Sequence, residues 1–306
     1  MKIAVMGAGA VGGYFGARLA DSGADVTFIA RGAHLAAIQN HGLKINSEVG
    51  DLHLSNAQAT DDPSSIGVVD YIFFTPKLWG LHEACDAIAS LVGPGTAIIS
   101  FQNGVDAEDV LIDRFGAEHV LGGVSGIAAV ISQPGTIQHT GTFAELAFGE
   151  FSGATSERVT RLETACKEAG FGVRVPENIN TAIWQKFIML VAFSGLTAIS
   201  QQRAGVLRDD EDARALLTAV AKEVGSIATA KGVSLPSGFA ETALGFLDNM
   251  PDSTTSSLAN DLERGNRLET HWLQGTVVRF GRELGVATPA TLALYVGLKY
   301  KADGAS

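Results

Sequence analysis

The 306-residue sequence is short of cysteine, short of basic residues and without a long uninterrupted apolar run. Its two cysteines, Cys85 and Cys166, stand far apart and in no metal-like spacing. That excludes a disulfide framework and a zinc site of the usual kind, and two reduced, buried thiols are expected. Lys and Arg number 22 against 33 Asp and Glu, a formal net charge of −11. The average field of such a surface repels nucleic-acid phosphates, so no nucleic-acid partner is expected, although a local basic pocket for one phosphate is compatible with it. The mean hydropathy of +0.20 raises the question of a membrane. The longest stretch without Asp, Glu, Lys or Arg, 119–144, is broken by Gly122, Gly123, Gln133, Pro134, Gln138 and His139, and cannot supply the ~20 apolar residues of a spanning helix. The apolar run 187–193 is too short, and the N-terminal apolar residues meet glycines before a signal-peptide core can form. A cytoplasmic protein with no membrane partner is expected. His139 and His271 have no paired ligand at metal spacing, so no metal is expected.

What is abundant is glycine, 36 residues. At about 150 residues per domain the length suggests two domains. In the first half, short apolar runs at 2–6, 25–29, 69–74, 96–100 and 120–124 alternate with helical stretches at 11–22, 78–90 and 106–115. That alternation predicts an α/β fold: a Rossmann-type, doubly wound parallel sheet covered on both faces. Segments 136–139 and 145–148 read as antiparallel additions at the sheet edge, followed by a helix over 155–169 and a short strand at 172–175. Pro176-Glu177-Asn178 marks the boundary. Residues 1–176 form the expected dinucleotide domain and 177–306 an all-helical C-terminal domain, with helices over 180–200, 209–231, 238–249, 258–284 and 288–301. Asp209-Asp210-Glu211-Asp212 reads as a solvated helix start in a favourable dipole position.

Gly7-Ala8-Gly9-Ala10-Val11-Gly12 fits G-x-G-x-x-G between a strand and a helix, with a second strand ending ~20 residues later, the setting that a dinucleotide-binding turn requires. Gly7 allows the tight turn, Gly9 lets the backbone approach a pyrophosphate, and Gly12 lets helix and sheet pack. The N–H groups of the helix start, at Ala10 and Val11, face the anion. The second strand ends Phe28-Ile29-Ala30-Arg31. No carboxylate stands there to take the ribose hydroxyls, whereas a guanidinium grips a 2′-phosphate, so NADP(H) is expected rather than NAD. Lys77 in Thr75-Pro76-Lys77 and the amides of Gln102-Asn103-Gly104 lie at strand ends that line the ligand crevice of such a sheet. Lys186 opens the most apolar helix, and Glu269 stands among helical residues. By residue type alone each is equally an ordinary surface charge.

Taken together, the glycine turn, Arg31, Thr75-Pro76-Lys77, Gln102-Asn103-Gly104, Trp184-Gln185-Lys186 with Leu196-Thr197-Ala198, and Ser256-Ser257 with Asp261 and Glu269 resemble the ketopantoate reductase family, in its order and over nearly the whole chain. The resemblance implies a Rossmann domain and a helical domain with the active site in the cleft between them. It also implies NADPH-dependent reduction of 2-dehydropantoate to pantoate, in the route to pantothenate and coenzyme A. It makes Lys186 the proton donor and Glu269 the acid that contacts substrate and cofactor. Lys77, Asn103 and Ala129 become cofactor contacts, with Asn103 and Ser257 also reaching the substrate. One motif departs from the family. Where the family helix commonly reads W-x-K-x-x-x-N-x-x-x-N, this chain has Lys186, Leu190 and Ser194. An alkyl group and a shorter hydroxyl replace two amides, with Ser194 left as the substrate contact. Losing such groups favours a less hydroxylated 2-oxo acid. The readings are therefore ketopantoate reduction, the same reaction on another small anionic 2-oxo acid, and a non-catalytic dinucleotide sensor. Retention of Lys186 and Glu269 speaks against the third. A homodimer is compatible with the helical half.

Overall fold

The computed structural model describes residues 1–304, which form two compact units: Met1–Gln102 with Asp106–Ile179, and Asn103–Val105 with Asn180–Ser306 less its last two residues.

The first unit is built on one sheet. Its strands are β1 (Lys2–Met6), β2 (Asp25–Ile29), β3 (Leu43–Ser47), β4 (Leu52–Leu54), β5 (Gln58–Thr60), β6 (Tyr71–Phe74), β7 (Ala97–Ser100), β8 (Val120–Gln133), β9 (Thr136–Gly149) and β10 (Gly172–Arg174). The order is β4-β3-β9-β8-β7-β6-β1-β2-β5, with β10 beside β9. From β8 to β5 all neighbours are parallel. The helices are α1 (Ala10–Asp21), α2 (Gly32–His41), α3 (Leu81–Ile88), α4 (Ala107–Phe115) and α5 (Glu157–Glu168). Successive side chains of a strand point to opposite faces, and here both faces are covered. Ile3, Val5, Tyr71 and Phe73 join one core with Tyr14 and Phe15 of α1 and Leu162 and Cys166 of α5. Ala4, Met6, Ile72 and Phe74 join another with Leu81, Ala84 and Ile88 of α3 and Leu111 of α4. This is why the central strands read as continuous apolar runs. The doubly wound sheet is as expected from the sequence.

The antiparallel part differs from expectation. Instead of short pieces at an edge, β8 and β9 are one hairpin of two 14-residue strands, with irregular register between Ile127 and Ala129 and between Ile131 and Gln133. β9 is interior, because β3 pairs with it in parallel and β4 pairs antiparallel to β3. The short, half-exposed strands β3, β4 and β5 carry too few apolar residues to be read from periodicity.

The second unit is helical: α6 (Ile179–Ser200), α7 (Ala204–Asp209), α8 (Glu211–Ala230), α9 (Phe239–Asn249), α10 (Ser257–Glu263), α11 (Gln274–Leu284) and α12 (Pro289–Lys299). Asp210 caps α8, its carboxylate accepting the Ala213 N–H at 2.7 Å, with Glu211 and Asp212 in the first turn. The expected single helix over 258–284 is three pieces. Gly265, at φ +68°, terminates the first, and a 3₁₀ turn, Glu269–His271, precedes α11. α6 is long and apolar enough to span a membrane by composition, with mean hydropathy 1.6, yet 67% of that window is buried within the protein. It carries the core of its unit, with Ile183, Phe187, Ile188 and Val191 all buried.

Candidate functional site

In the first unit the glycine turn is sorted by sterics. Gly7 has φ +94°, which disfavours any side chain. A Cβ on Gly12 would lie 2.4 Å from the Thr75 hydroxyl and 2.6 Å from the Gly7 carbonyl, so only glycine lets α1 approach the sheet there. Gly9, the N-cap of α1, has nothing within 4 Å of a Cβ position. The turn is therefore packed behind Gly12 and open in front of Gly9. It is tied down from two sides. Gly7 and Ala8 N–H groups donate to the Ile29 carbonyl at 3.2 and 3.0 Å, and the Thr75 hydroxyl donates to the Gly7 carbonyl at 2.7 Å. The first N–H groups of a helix have no acceptor inside it, and α1 has no acidic residue in its first turn, so Ala10 and Val11 present their amides to an anion.

A pocket of about 310 Å³ opens before this turn, walled by Gly7 and Gly9, Arg31 at the start of α2, and Pro76, Lys77 and Trp79 after β6. The Lys77 ammonium lies 5.5 Å from the Trp79 ring centre. At the same strand ends the Gln102 amide donates to the Pro76 carbonyl at 2.6 Å. Its Oε1 is buried without a partner among the described residues. An open glycine turn, helix-start amides and two cations fit a dinucleotide. Ala129, in β8 opposite His139, is half-buried and is not among the pocket walls, where Ile131 stands instead.

Two wall residues escape a reading of the sequence. His34, in the first turn of α2, places Nε2 2.8 Å from the Ala8 carbonyl, and its Nδ1 accepts the Gly135 N–H at 3.1 Å. One ring thus joins the glycine turn to the β8–β9 hairpin. Burial holds its pKa below the ordinary 6.5, against the raising effect of the Ala8 bond. Glu83, in the first turn of α3, puts a carboxylate oxygen 2.8 Å from Arg31 Nη1. The spacing of Arg31 and His34 on one helix start was the one local signal. Glu83 gave none.

In the second unit, Lys186 is half-buried on α6 beside buried Trp184 and Phe187, whose rings meet edge to face at 5.7 Å. Leu190, one turn on, is half-buried, while Ser194, two turns on, is only 1% exposed. Its hydroxyl accepts from the Gln274 amide at 3.1 Å, and the same amide nitrogen donates to the Val191 carbonyl at 3.0 Å. Gln274 Oε1 in turn accepts from Thr270 at 3.1 Å. Ser194 is thus engaged in holding α6 to the start of α11. Glu269 is 9% exposed and begins the 3₁₀ turn. Ser257 is exposed at the first position of α10. Its neighbour Ser256 caps that helix and bonds the Thr197 hydroxyl at 2.7 Å. α6, α10 and the 269–274 segment, which carry Lys186, Ser257 and Glu269, are therefore pinned together by buried hydroxyl and amide groups. Asn103 is half-buried and groups with this unit rather than with the sheet.

Among the described residues no three His, Cys, Asp or Glu side chains are grouped to hold a metal. Cys85 and Cys166 are free and buried, and burial pushes their thiols up to about 11 and about 12.

Family models match both halves of the chain. Residues 3–153 match "Ketopantoate reductase PanE/ApbA", and residues 178–302 match "Ketopantoate reductase PanE/ApbA C terminal". The 2-dehydropantoate 2-reductase of Mesorhizobium japonicum is 33% identical over 96% of each chain. The crystal structure of 2-dehydropantoate 2-reductase from Geobacter metallireducens GS-15 superposes with a TM-score of 0.91 at 31% identity, covering 98% of this chain and 99% of that one. A D-mandelate dehydrogenase solved with NADH and anilino(oxo)acetate has a TM-score of 0.88 at 23% identity over 99% and 98% of the two chains, a likeness of fold alone.

Proposed function

Because the chain belongs to the ketopantoate reductase family, we propose that it is an NADPH-dependent reductase of a small anionic 2-oxo acid, with 2-dehydropantoate the first substrate to test and pantoate the product. The observation that carries the reading is Lys186, half-buried on an apolar helix that buried bonds fix to the segments bearing Glu269 and Ser257. The bound cofactor supplies hydride to the keto carbon. The resulting alkoxide needs a proton and a positive charge as it develops, and Lys186 supplies both. Glu269, buried and acidic, would hold the substrate hydroxyl in position, with Ser257 and Asn103 as further polar contacts. Gly7, Gly9, Gly12 and the amides of Ala10 and Val11 would cradle the pyrophosphate. Lys77 and Arg31 would neutralise its charges, Arg31 on the 2′-phosphate. Ala129, outside the walls of the pocket, would reach the cofactor only through its main chain. We further assign the enzyme to the cytoplasm and to the route toward pantothenate and coenzyme A, and regard a homodimer as the assembly to test.

Leu190 supports a second reading of the substrate. An alkyl group one turn from Lys186 offers nothing to a substrate hydroxyl, and Ser194, 1% exposed, already accepts from Gln274. A branched 2-oxo acid without the hydroxyl suits that face better. The test is a panel of 2-oxo acids with NADPH oxidation followed optically. Turnover of ketopantoate well above its unhydroxylated analogue supports the first reading, and the reverse order the second. Lys186→Ala should retain NADPH binding and lose about 10²- to 10⁴-fold in kcat. A variant turning over at the wild-type rate would remove Lys186 from the chemistry.

A further inference from the structure

The geometry points to Glu83 as a residue that sets the choice between NADPH and NADH, an inference that rests on Arg31 being the 2′-phosphate ligand. Dinucleotide sheets that take NAD end the second strand in a carboxylate, which accepts from the ribose hydroxyls. Here that place holds Ala30-Arg31. The fold nevertheless brings a carboxylate to the same wall from another element. Glu83 Oε1 lies 2.8 Å from Arg31 Nη1, and both residues line the pocket before the glycine turn. The position of Glu83 is not a wandering one. Leu81, Ala84, Cys85 and Ile88 bury the inner face of α3 in the sheet's core, and Ala84 itself lines the pocket. Glu83, the residue before Ala84, lies in the first helical turn, where the helix dipole favours a negative charge.

The carboxylate therefore stands on the guanidinium where a phosphate would, and it acts in two directions. NADPH must part Arg31 from Glu83 and then tolerate a carboxylate close to its 2′-phosphate. NADH brings only a hydroxyl, which a carboxylate accepts from well. The side chains of both residues are more than half exposed, 64% and 67%. Such a pair is weak and readily exchanged, so Glu83 adjusts the preference without barring either cofactor.

The test is the dissociation constant of each cofactor, read by fluorescence titration at low ionic strength, for the wild type, Glu83→Gln, Arg31→Ala and the double variant. Both positions are exposed, so neither change threatens folding. Removing the competing charge should tighten NADPH about 3- to 10-fold, with no tightening of NADH, and the gain should shrink with added salt. In the Arg31→Ala background the gain should shrink to what the carboxylate's direct repulsion of the 2′-phosphate contributes, because the rest of it acts through Arg31. An unchanged NADPH-to-NADH ratio in Glu83→Gln, or equal tightening of both cofactors, would overturn the role of Glu83. If Arg31→Ala still weakens NADPH alone, the cofactor reading survives that loss. Equal weakening of NADPH and NADH by Arg31→Ala would instead overturn the cofactor reading itself, and the assignment of Glu83 with it.

Discussion

His34 shows how much one side chain can organise in this fold. A backbone N–H can only donate, so the Gly135 contact requires an unprotonated Nδ1 and leaves Nε2–H to donate to the Ala8 carbonyl. The ring is held neutral by the Gly135 bond and by burial, which lowers its pKa against the raising effect of the Ala8 bond. Arg31, Lys77 and Glu83 are the charged side chains on the same pocket. The linkage has a definite sign. A histidine whose native pKa lies below its unfolded value near 6.5 contributes stability that is complete above that value, and it is lost as the pH falls through the lowered native pKa. Protonation would also turn Nδ1 into a donor against the Gly135 N–H. Urea midpoints taken at about pH 7.5 and about pH 5.5 should therefore fall less for His34→Gln than for the wild type. His34→Ala, which leaves the Gly135 N–H and the Ala8 carbonyl without their partner, should lose about 1–3 kcal/mol of stability and bind NADPH more weakly. Equal pH slopes in wild type and variant would show that this ring does not titrate with unfolding.

At the level of elements, the sequence is most readable where burial is two-sided and least where a residue's role comes from a distant neighbour. The strands β1, β2, β6 and β7 could be read because both of their faces are covered, and the glycine turn because its spacing is local. The hairpin β8–β9 reads only in fragments, since the distal half of β8 is largely exposed and the polar residues of β9 interrupt its apolar alternation. The break at Gly265 is hard to read because apolar residues continue on both sides of it, and it places Glu269 in a 3₁₀ turn where a helix is expected. Glu83 and Gln274 carried no signal, as their partners Arg31 and Ser194 lie far away in the chain. On α6, Ser194 is expected from the sequence as a substrate contact, and in the structure its hydroxyl also meets Gln274, which lies over Gly195 with its amide 3.0 Å from where a Cβ would be. Gln274 is fully buried with three bonds to Val191, Ser194 and Thr270. Gln274→Leu should therefore cost about 1–3 kcal/mol for the groups left unpaired, and its effect should be less than additive with Ser194→Ala in thermal melts. Ser194→Ala should lower stability while leaving KM for the substrate near the wild-type value. A raised KM with unchanged melting would return Ser194 to the substrate.

For the whole molecule, two compact units divide the work that the proposed reaction needs. The sheet unit has apolar cores on both faces and holds every wall of the pocket proposed for the dinucleotide; the helical unit holds Lys186, Ser257 and Glu269. The net charge of −11 opposes two anionic ligands, so the proposed reaction needs cations at each site; Arg31 and Lys77 stand in the pocket, with Glu83 beside Arg31. A ligand stabilises only what folds in order to bind it. If the sheet unit alone carries the cofactor, NADPH at about 100 times its Kd should stabilise that unit by about 2.7 kcal/mol and leave the helical unit untouched. Calorimetry can separate the two. The three tryptophans identify the transitions, since Trp79 lines the pocket of the sheet unit while Trp184 and Trp272 belong to the helical unit. Following fluorescence in Trp79→Phe leaves only the helical signal. That signal should melt at the same temperature with and without NADPH, while the calorimetric transition of the sheet unit moves up. If both transitions rise together, the cofactor's stabilisation spreads through the whole chain, and the division of labour between units is kinetic at most and not one of stability.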